Sequence, residues 1–471
     1  MVHLERCFMI IKNLGPINHA EIKVSPLTIF FGNNGTGKTL AQYSFYSFLD
    51  WVESNYKQLT IITEEELISM IVDGKTLTFT LEDFRKSLTQ QIVSQFNSLD
   101  NEYFQGFFKD DNVFKENVSS ITIDKDDVTS IFKQNELPGR RTFSWPFTRQ
   151  SEDILNSENS IEIRQSNSLI IDFEDNSFKL NYGLMSRSGD TIEMKNNLSI
   201  DDRMRQVNEN STIPFKMIHN FFNEGILDTL LSSKNVYLPA ERIGINTFRK
   251  VLLEQQIQTV GRLNDSNQIK HLEKLVDYPR PINSYLAFTS SMLNEDSKRE
   301  IDKTLQQHIQ KLIPGHFEYD ENSDSVFFNL RDGQSHLSFK LLSSSLKSLY
   351  GLEHFIEVSD HGDALFIDEP EMNLHPEGQI TVMELLYGLV KYGKNRVVLS
   401  THSDYLIKKL INLLLKDQKL KIPENPDVSI YMFKNGSATR INDITSEDGD
   451  GTMNFDSSSI LLNEEYYSLM D

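Results

Sequence analysis

The 471-residue sequence contains one cysteine, Cys7, two tryptophans and no run of roughly 18 or more apolar residues. A single cysteine excludes an internal disulfide and a metal site built from several cysteines. The lack of a long apolar run predicts that no helix crosses a membrane. The first residues, MVHLERCFMIIKNLG, lack the apolar core and the small-residue cleavage site of a secretory signal, so we expect a cytoplasmic protein.

Basic residues are also scarce relative to acidic ones. The chain has 47 Lys and Arg against 68 Asp and Glu, which gives a formal net charge of −21. Proteins that bind nucleic acid non-specifically usually carry basic surfaces, so this charge balance weighs against direct DNA or RNA binding. It does not exclude a local basic groove. The composition is otherwise that of a globular protein, and the length suffices for about two to four domains.

Glycine is concentrated in the segment FGNNGTGKTL (31–40), which follows the apolar run LTIFF and has the spacing G-x-x-x-x-G-K-[ST]. Glycines let several backbone N–H groups converge on anionic oxygens, and the helix that we expect next adds its positive N-terminal end. We therefore predict a loop that binds the phosphates of ATP, in which Lys38 contacts the β- and γ-phosphates and Thr39 binds Mg²⁺. The predicted nucleotide-binding residues are Gly32, Asn33, Asn34, Gly35, Thr36, Gly37, Lys38 and Thr39.

Two later segments supply the acids and the histidine that such a loop requires. In ALFIDEPEMNLHP (364–376) an apolar strand leads into Asp368 and Glu369, and in VVLSTHSDYL (397–406) another leads into His402. An aspartate at the tip of a buried strand beside a phosphate loop is placed to hold Mg²⁺, and the adjacent glutamate can accept a proton from an attacking water. The histidine can hydrogen-bond the γ-phosphate or that water. We predict Asp368 as a metal ligand and Glu369, His402 and Lys38 as catalytic residues.

Three serines, Ser343, Ser344 and Ser345, precede an amphipathic segment in KLLSSSLKSLYGL (340–352). By themselves they indicate a helix N-cap. They also lie about 20 residues before the acidic strand, where one class of ATPases places a helix N-terminus that reaches the γ-phosphate held by another subunit. We therefore include the three serines among the predicted nucleotide-binding residues.

Alternating strand and helix patterns in the C-terminal third predict an α/β fold with a mixed, mainly parallel core sheet. Strand patterns at 8–31 predict an additional N-terminal antiparallel β-layer, and 160–185 has the pattern of a β-meander. Periodicity is otherwise weak across residues 51 to 235, which we interpret as an insertion into the ATP-binding core. We divide the chain into an ATPase core (1–50 and 325–445), an inserted α+β region (51–235), a mainly helical region (236–324) and a C-terminal tail (446–471).

Taken in this order, the four segments resemble the ABC-type ATPase heads of the SMC, RecF and OLD groups. The resemblance covers about residues 4–50 and 335–435, plus YLPAERIG (237–244). It implies that 32–39 is the Walker A motif, that Asp368 and Glu369 are the Walker B aspartate and the catalytic glutamate, and that His402 is the switch histidine. Serines stand where the family has a Ser-Gly-Gly-like signature, and their Cβ atoms keep the backbone further from phosphate.

The resemblance also implies partners. Heads of this type bind ATP and Mg²⁺ between two subunits, so we expect a homodimer or higher homo-oligomer. No Toprim nuclease module is recognisable after residue 435, so a separate effector protein, a nuclease, is the implied partner. The order of motifs and the length of the chain are similar to those of stand-alone ATPase subunits of anti-phage defence systems. The PARIS type (AriA-like) is the first candidate and the Septu type (PtuA-like) is the second. Two alternatives stay open: a RecF-like repair ATPase that clamps DNA directly, and a scaffold in which nucleotide is structural.

Three further features have open interpretations. Arginines alternate with aromatic residues at 138–150, which fits a nucleic-acid surface or a loop packed on its own domain. Glu241 and Arg242 fit an internal salt bridge or the lining of the nucleotide cleft. The family's glutamine loop is not located by any pattern, and Gln150 and Gln165 are the two candidates.

Overall fold

The computed structural model describes the following residues: 7–124, 139–146, 164–174, 177–188, 191–195, 220, 223–228, 231, 233–261, 278–290, 301–320, 325–331, 333, 336–421, 426–441 and 467–468. The chain divides into a larger unit, Met1–Trp51 with Phe96–Asp127 and Ser233–Asp471, and a smaller unit, Val52–Gln95 with Val128–Ser232. The segment predicted as an insertion (51–235) thus contributes Phe96–Asp127 to the larger unit.

The strands are, in chain order, β1 (Cys7–Leu14), β2 (Ile17–Val24), β3 (Leu27–Gly32), β4 (Leu77–Thr80), β5 (Ser120–Ile123), β6 (Arg140–Pro146), β7 (Arg164–Phe173), β8 (Ser177–Ser188), β9 (Thr191–Lys195), β10 (Asn235–Leu238), β11 (Gly315–Asp320), β12 (Ser325–Leu330), β13 (His336–Ser338), β14 (Ala364–Asp368), β15 (Arg396–Thr401), β16 (Val428–Lys434) and β17 (Ser437–Ile441).

The α-helices with defined bounds are α1 (Lys38–Asn55), α2 (Glu64–Val72), α3 (Leu81–Asn97), α4 (Asn101–Phe108), α5 (Arg242–Gly261), α6 (Arg280–Ser290), α7 (Lys303–Leu312), α8 (Ser344–Val358), α9 (Pro376–Lys391) and α10 (Asp404–Lys419). Helix α5 begins at Arg242, inside the segment YLPAERIG (237–244).

One nine-stranded sheet organises the larger unit, in the order β10-β14-β15-β3-β16-β17-β2-β1-β5. The strands from β10 to β16 pair in parallel, whereas β16 with β17, β2 with β1 and β1 with β5 pair antiparallel. The predicted α/β class with a mixed, mainly parallel sheet is confirmed. The N-terminal antiparallel strands continue this same sheet, because β17 pairs in parallel with β2.

The strands in the parallel part of the sheet are largely buried because helices cover both faces of a parallel sheet. Every residue of β3 and of β14 is buried. Helix α1 packs beside them through aromatic rings, with the Tyr46 ring centroid 5.3 Å from that of Phe366 and 5.4 Å from that of Tyr237. Edge-to-face contacts of this kind fix ring orientation as well as burying area. They hold the helix that follows the glycine-rich loop against the sheet.

A three-stranded antiparallel sheet, β11-β12-β13, lies in the larger unit. In the smaller unit, β6, β7, β8 and β9 pair antiparallel in succession, and β4 adds to β8. The β-meander expected at 160–185 is therefore confirmed in the residues that the structure describes, and it extends beyond that range on both sides.

Candidate functional site

The carboxyl ends of three neighbouring parallel strands bring the predicted site residues together. In the ladder, Asp368 at the end of β14 is opposite Ser400 of β15, and Ser400 is opposite Phe30 of β3. The loop after β3 contains the glycines and Lys38, and the loop after β15 contains His402. Ligands bind at this edge in open α/β sheets because the strands end there in loops.

The glycine-rich loop has a backbone that side chains would disrupt. Gly32 has φ +145°, and a Cβ there would lie 2.5 Å from the backbone oxygen of Phe433. Gly37 has φ +100°, and its Cβ would lie 2.5 Å from Cγ1 of Ile17. Gly35 has φ +75° but nothing within 4 Å of the Cβ position. The first and third glycines are therefore required by packing as well as by conformation.

These contacts predict different costs for two alanine substitutions in the loop. Gly32→Ala meets both backbone strain and a rigid backbone oxygen, so we expect it to lower the free energy of unfolding by about 3 kcal/mol or more. Gly35→Ala meets strain alone, and we expect a loss of about 1 to 2 kcal/mol. Urea unfolding of both variants measures the difference. Equal losses would show that the Phe433 contact does not constrain the loop.

Lys38 begins helix α1 and turns back on the loop. Its ammonium donates to the backbone oxygens of Gly32, at 2.8 Å, and Asn33, at 2.9 Å. The side chain is buried, and burial lowers the pKa of the Lys38 ammonium from its ordinary value while nearby carboxylates, chiefly Asp368, oppose the shift. The Lys38 ammonium therefore places a positive charge beside the backbone N–H groups of the loop.

Thr39 and Asp368 are in direct contact although 329 residues separate them. The Thr39 hydroxyl donates to Oδ2 of Asp368 at 2.9 Å, and the Ser400 hydroxyl donates to Oδ1 of the same carboxylate. Asp368 is buried at the tip of β14. The two residues predicted as metal ligands thus lie side by side, with hydroxyl and carboxylate oxygens next to the phosphate loop.

Glu369 follows in a left-handed backbone conformation, with φ +47°. Its N–H donates to the Ser400 carbonyl at 2.9 Å. The side chain is 28% exposed, and its Oε1 lies 3.6 Å from Nδ1 of His402. Burial raises the pKa of Glu369, and the charge of Asp368 adds to the increase. A carboxylate of raised pKa is a stronger proton acceptor, which is the property that a general base requires.

Glu371 is a site residue that the sequence interpretation missed. Its Oε1 accepts from the Thr401 hydroxyl at 2.6 Å and from the His402 N–H at 3.0 Å, and His402 Nδ1 lies 3.6 Å away. The side chain is 5% exposed, and within the described part of the chain its Oε2 has no hydrogen-bond partner. The second glutamate of DEPE was the available signal. Glu371 fixes the loop that carries His402.

Removing the Glu371 carboxylate leaves two donors unsatisfied, so Glu371→Ala is expected to lower the free energy of unfolding by about 2 to 4 kcal/mol. Glu377→Ala is the matched control, because that glutamate is exposed in the first turn of α9; we expect a loss of less than about 1 kcal/mol. Equilibrium urea unfolding checks both. If the two variants unfold at the same urea concentration, Glu371 does not hold the His402 loop.

Arg242 donates to backbone carbonyls, which the salt-bridge interpretation of YLPAER did not anticipate. Its guanidinium is buried and donates to four backbone carbonyls, those of Pro239, Ser348, Asp368 and Glu369. The neighbouring Glu241 is exposed, and no ion pair joins it to Arg242 in the described structure. The expected salt bridge is therefore absent, and the arginine instead contacts the backbone of the turn that follows β14.

The three predicted signature serines lie at the start of helix α8. Ser343 is its N-cap: the hydroxyl accepts from the Leu346 N–H at 3.3 Å and lies 2.9 Å from the Ser345 hydroxyl. Ser343 and Ser344 are exposed. No hydrogen bond between described residues joins these serines to the phosphate loop, so their contact with nucleotide stays a prediction.

The remaining candidates are in the smaller unit or outside the described residues. Gln165 is in β7 of the smaller unit, whereas Gln150 lies outside the described ranges. Arg140, from the basic aromatic segment, forms two hydrogen bonds with Asp172 of the adjacent strand. That contact favours packing within its own sheet for this arginine.

A family model of the AAA ATPase domain matches residues 7–407, which include the glycine-rich loop, the paired acids and His402. This chain belongs to the AAA ATPase domain family. The match covers most of the sequence and supports ATPase activity, which implies that the protein binds nucleotide. No helix in the described part of this ATPase combines the length and apolar character needed to span a bilayer.

Solved structures similar to this ATPase include three SMC heads. A Pyrococcus furiosus Smc head with an extended coiled coil, bound to the C-terminal domain of ScpA, has a TM-score of 0.30 and 10% identity and covers 98% of this chain and 99% of its own. An SmcHead bound to the C-winged helix domain of ScpA has a TM-score of 0.33 and 11% identity, and the match covers 93% of this chain and 97% of that chain. The Thermotoga maritima SMC head has a TM-score of 0.28 and 9% identity, and the match covers 93% of this chain and 98% of that chain.

TM-scores this low support no inference of shared function. The assignment of the chain as an ATPase therefore rests on the family match and on the geometry of the site. No curated protein matches the chain.

Proposed function

We propose that this ATPase binds ATP with Mg²⁺ in the loop 32–39 and hydrolyses it, with Glu369 as the general base and His402 as the sensor of the γ-phosphate. The observation that carries the proposal is the 2.9 Å contact between the Thr39 hydroxyl and the Asp368 carboxylate. A hydroxyl and a carboxylate meeting beside a phosphate loop are the two protein groups that hold Mg²⁺ in phosphate-loop enzymes.

The donor chemistry at this position fits Mg²⁺. Thr39 and Asp368 offer hard oxygen ligands, and Mg²⁺ typically takes only one or two protein ligands and obtains the rest from phosphates and water. No group of three or more His, Cys, Asp or Glu side chains in the described residues forms a metal site, which leaves a two-ligand site as the candidate. When bound, Mg²⁺ neutralises charge on the phosphate oxygens.

The residues of the chain have separate roles in the proposed reaction. Lys38 and the loop N–H groups orient and neutralise the β- and γ-phosphates. Glu369 accepts the proton of the attacking water, which its raised pKa favours. His402, held at its backbone by Glu371, reports whether the γ-phosphate is present. Because His402 is 48% exposed, it remains accessible to a γ-phosphate or to a second subunit.

We further propose that ATP closes a dimer of these ATPases and that hydrolysis opens it. The helix N-terminus at Ser343–Ser345 supports this proposal, because Ser343 and Ser344 are exposed and the N-terminal end of a helix can bind an anion such as the γ-phosphate held by a second subunit. On the strength of the family resemblance, the switch holds or releases a separate nuclease in cytoplasmic anti-phage defence.

Steady-state phosphate release, sizing and affinity capture test this function together. We expect release of phosphate from ATP that requires Mg²⁺, a shift from monomer to dimer with ATP, and ATP-dependent capture of a neighbouring gene product. No Mg²⁺-dependent phosphate release would overturn the hydrolase proposal. ATP-dependent, salt-sensitive binding of DNA by the purified chain alone, without a captured protein, would replace the effector switch with the RecF-like alternative.

A further inference from the structure

Arg242 joins three backbone segments around the proposed base. Its Nη1 donates to the carbonyls of Pro239, at 3.1 Å, and Asp368, at 2.7 Å; its Nη2 donates to the Glu369 carbonyl at 2.8 Å; and its Nε donates to the Ser348 carbonyl at 3.1 Å. The side chain is 1% exposed. One planar group therefore binds the turn after β10, the turn after β14 and the second turn of α8.

The chemistry of this cluster is specific to arginine. All four acceptors are neutral carbonyls, and burial lowers the pKa of the guanidinium from its ordinary value. A guanidinium has five N–H donors in a fixed plane, so it can satisfy several separated carbonyls at once. A lysine ammonium at the same position has three donors on one atom and cannot reach the same set. Each lost charged hydrogen bond at a buried carbonyl is costly.

The hydrogen bond from Arg242 to the Glu369 carbonyl helps to fix the peptide plane that follows Glu369. Glu369 has a left-handed φ of +47°, a conformation that a glutamate adopts only when its surroundings impose it. Its N–H is fixed by the Ser400 carbonyl at 2.9 Å, and its carbonyl is fixed by Arg242. With both backbone groups of Glu369 held, the direction in which its side chain leaves the backbone is fixed by two contacts, and Arg242 supplies one of them.

The contacts with α8 are reinforced from the same helix, α5. Asn246 donates from Nδ2 to the Lys347 carbonyl at 3.0 Å, and the Tyr285 hydroxyl donates to Asn246 Oδ1 at 2.8 Å. Arg242 and Asn246 thus bind two successive carbonyls of α8, those of Lys347 and Ser348. These carbonyls lie within one helical turn of the exposed N-terminus at 343–345, so α5 links that N-terminus to the Glu369 turn.

We propose that Arg242 is a positioning residue that holds the Glu369 turn and the start of α8 in one arrangement, so that it determines the rate of ATP hydrolysis and not the affinity for ATP. The inference rests on the proposed role of Glu369 as the base. Lys38 and Thr39, which lie in the first turn of α1, are the residues to which we assign nucleotide affinity, and they are not among the groups that Arg242 contacts in the described structure.

Arg242→Lys tests this proposal against Arg249→Lys as a matched control. Arg249 lies on the same helix, is 7% exposed and donates to the Thr289 carbonyl, away from the site. We expect Arg242→Lys to lower kcat about 10- to 100-fold while the Kd for ATP changes less than about threefold, because small misplacements of a reacting group slow turnover strongly. Arg249→Lys should unfold at lower urea concentration with kcat unchanged. An unchanged kcat in Arg242→Lys, or a Kd that rises as much as kcat falls, would overturn the proposal.

Two further variants keep the outcome interpretable. Asn246→Ala releases the Lys347 carbonyl and the Tyr285 hydroxyl but leaves all four contacts of Arg242 in place, so it applies if Arg242→Lys does not fold. We expect kcat to fall about three- to tenfold with unchanged Kd, and an unchanged kcat counts against the link. Glu369→Gln, measured in parallel, separates the two proposals. Parental turnover in Glu369→Gln refutes the base assignment, whereas stalled turnover there with normal turnover in Arg242→Lys refutes the positioning role alone.

Discussion

Glu369→Gln is expected to lower kcat for ATP hydrolysis by about 10²- to 10³-fold while the Kd for ATP changes less than about threefold. Glutamine has nearly the same shape as glutamate, so the left-handed turn and its two backbone contacts are retained. What is lost is the proton acceptor. Because the variant still binds ATP but cannot complete hydrolysis, we also expect it to accumulate as the ATP-bound closed dimer.

The measurement combines single-turnover phosphate release with sizing in the presence of ATP. Glu377→Gln is the control for the loss of one carboxylate, since Glu377 is exposed on α9 only eight positions further along the chain. That control is expected to hydrolyse ATP at the parental rate and to dimerise reversibly. Should Glu369→Gln release phosphate as fast as the control, another residue is the base, and Glu371, which contacts the backbone of His402, is the next candidate.

The meeting of Thr39 with Asp368 was predictable because it depends on two local patterns and one rule of topology. Each pattern is short and follows an apolar strand, so each can be recognised without knowing the fold. Parallel strands end at the same edge of a sheet, which brings residues 329 positions apart into contact. The strand order itself was not needed for this prediction, only the expectation that both strands belong to one parallel sheet.

Arg242 and Glu371 were not predictable in the same way. The acceptors of Arg242 are backbone carbonyls, which every residue has, so no side-chain pattern marks them. Glu371 acts through a hydroxyl and an N–H of the loop after β15, a strand that the chain reaches only 25 residues later. Such contacts depend on how two loops are placed against each other. Sequence patterns report periodicity and spacing, and they do not report loop placement.

Helix α1 was predicted from the loop that precedes it and not from its own periodicity, whereas strand β17 was missed. Helix α1 is buried on nearly every face in its first half, with Gln42, Ser44 and Ser47 as inaccessible as the aromatic residues between them, so it lacks the apolar stripe that marks a helix. Strand β17 (Ser437–Ile441) is short and largely polar, yet it joins the parallel part of the sheet to the N-terminal strands. Its place is set by its neighbours and not by its own composition.

Lys38→Ala is expected to weaken ATP binding about 10- to 100-fold and to remove measurable hydrolysis, because one charged hydrogen-bonding group contributes about 1.5 to 3 kcal/mol. Lys12→Ala is the control, because Lys12 is exposed on β1 and this substitution removes the same charge as Lys38→Ala. Titration with a fluorescent ATP analogue measures both. The ammonium of Lys38 also binds two loop carbonyls, so the variant should unfold at lower urea concentration than the control. A variant that keeps parental ATP affinity would show that the loop N–H groups alone bind the phosphates, and the site would then require a different source of positive charge for turnover.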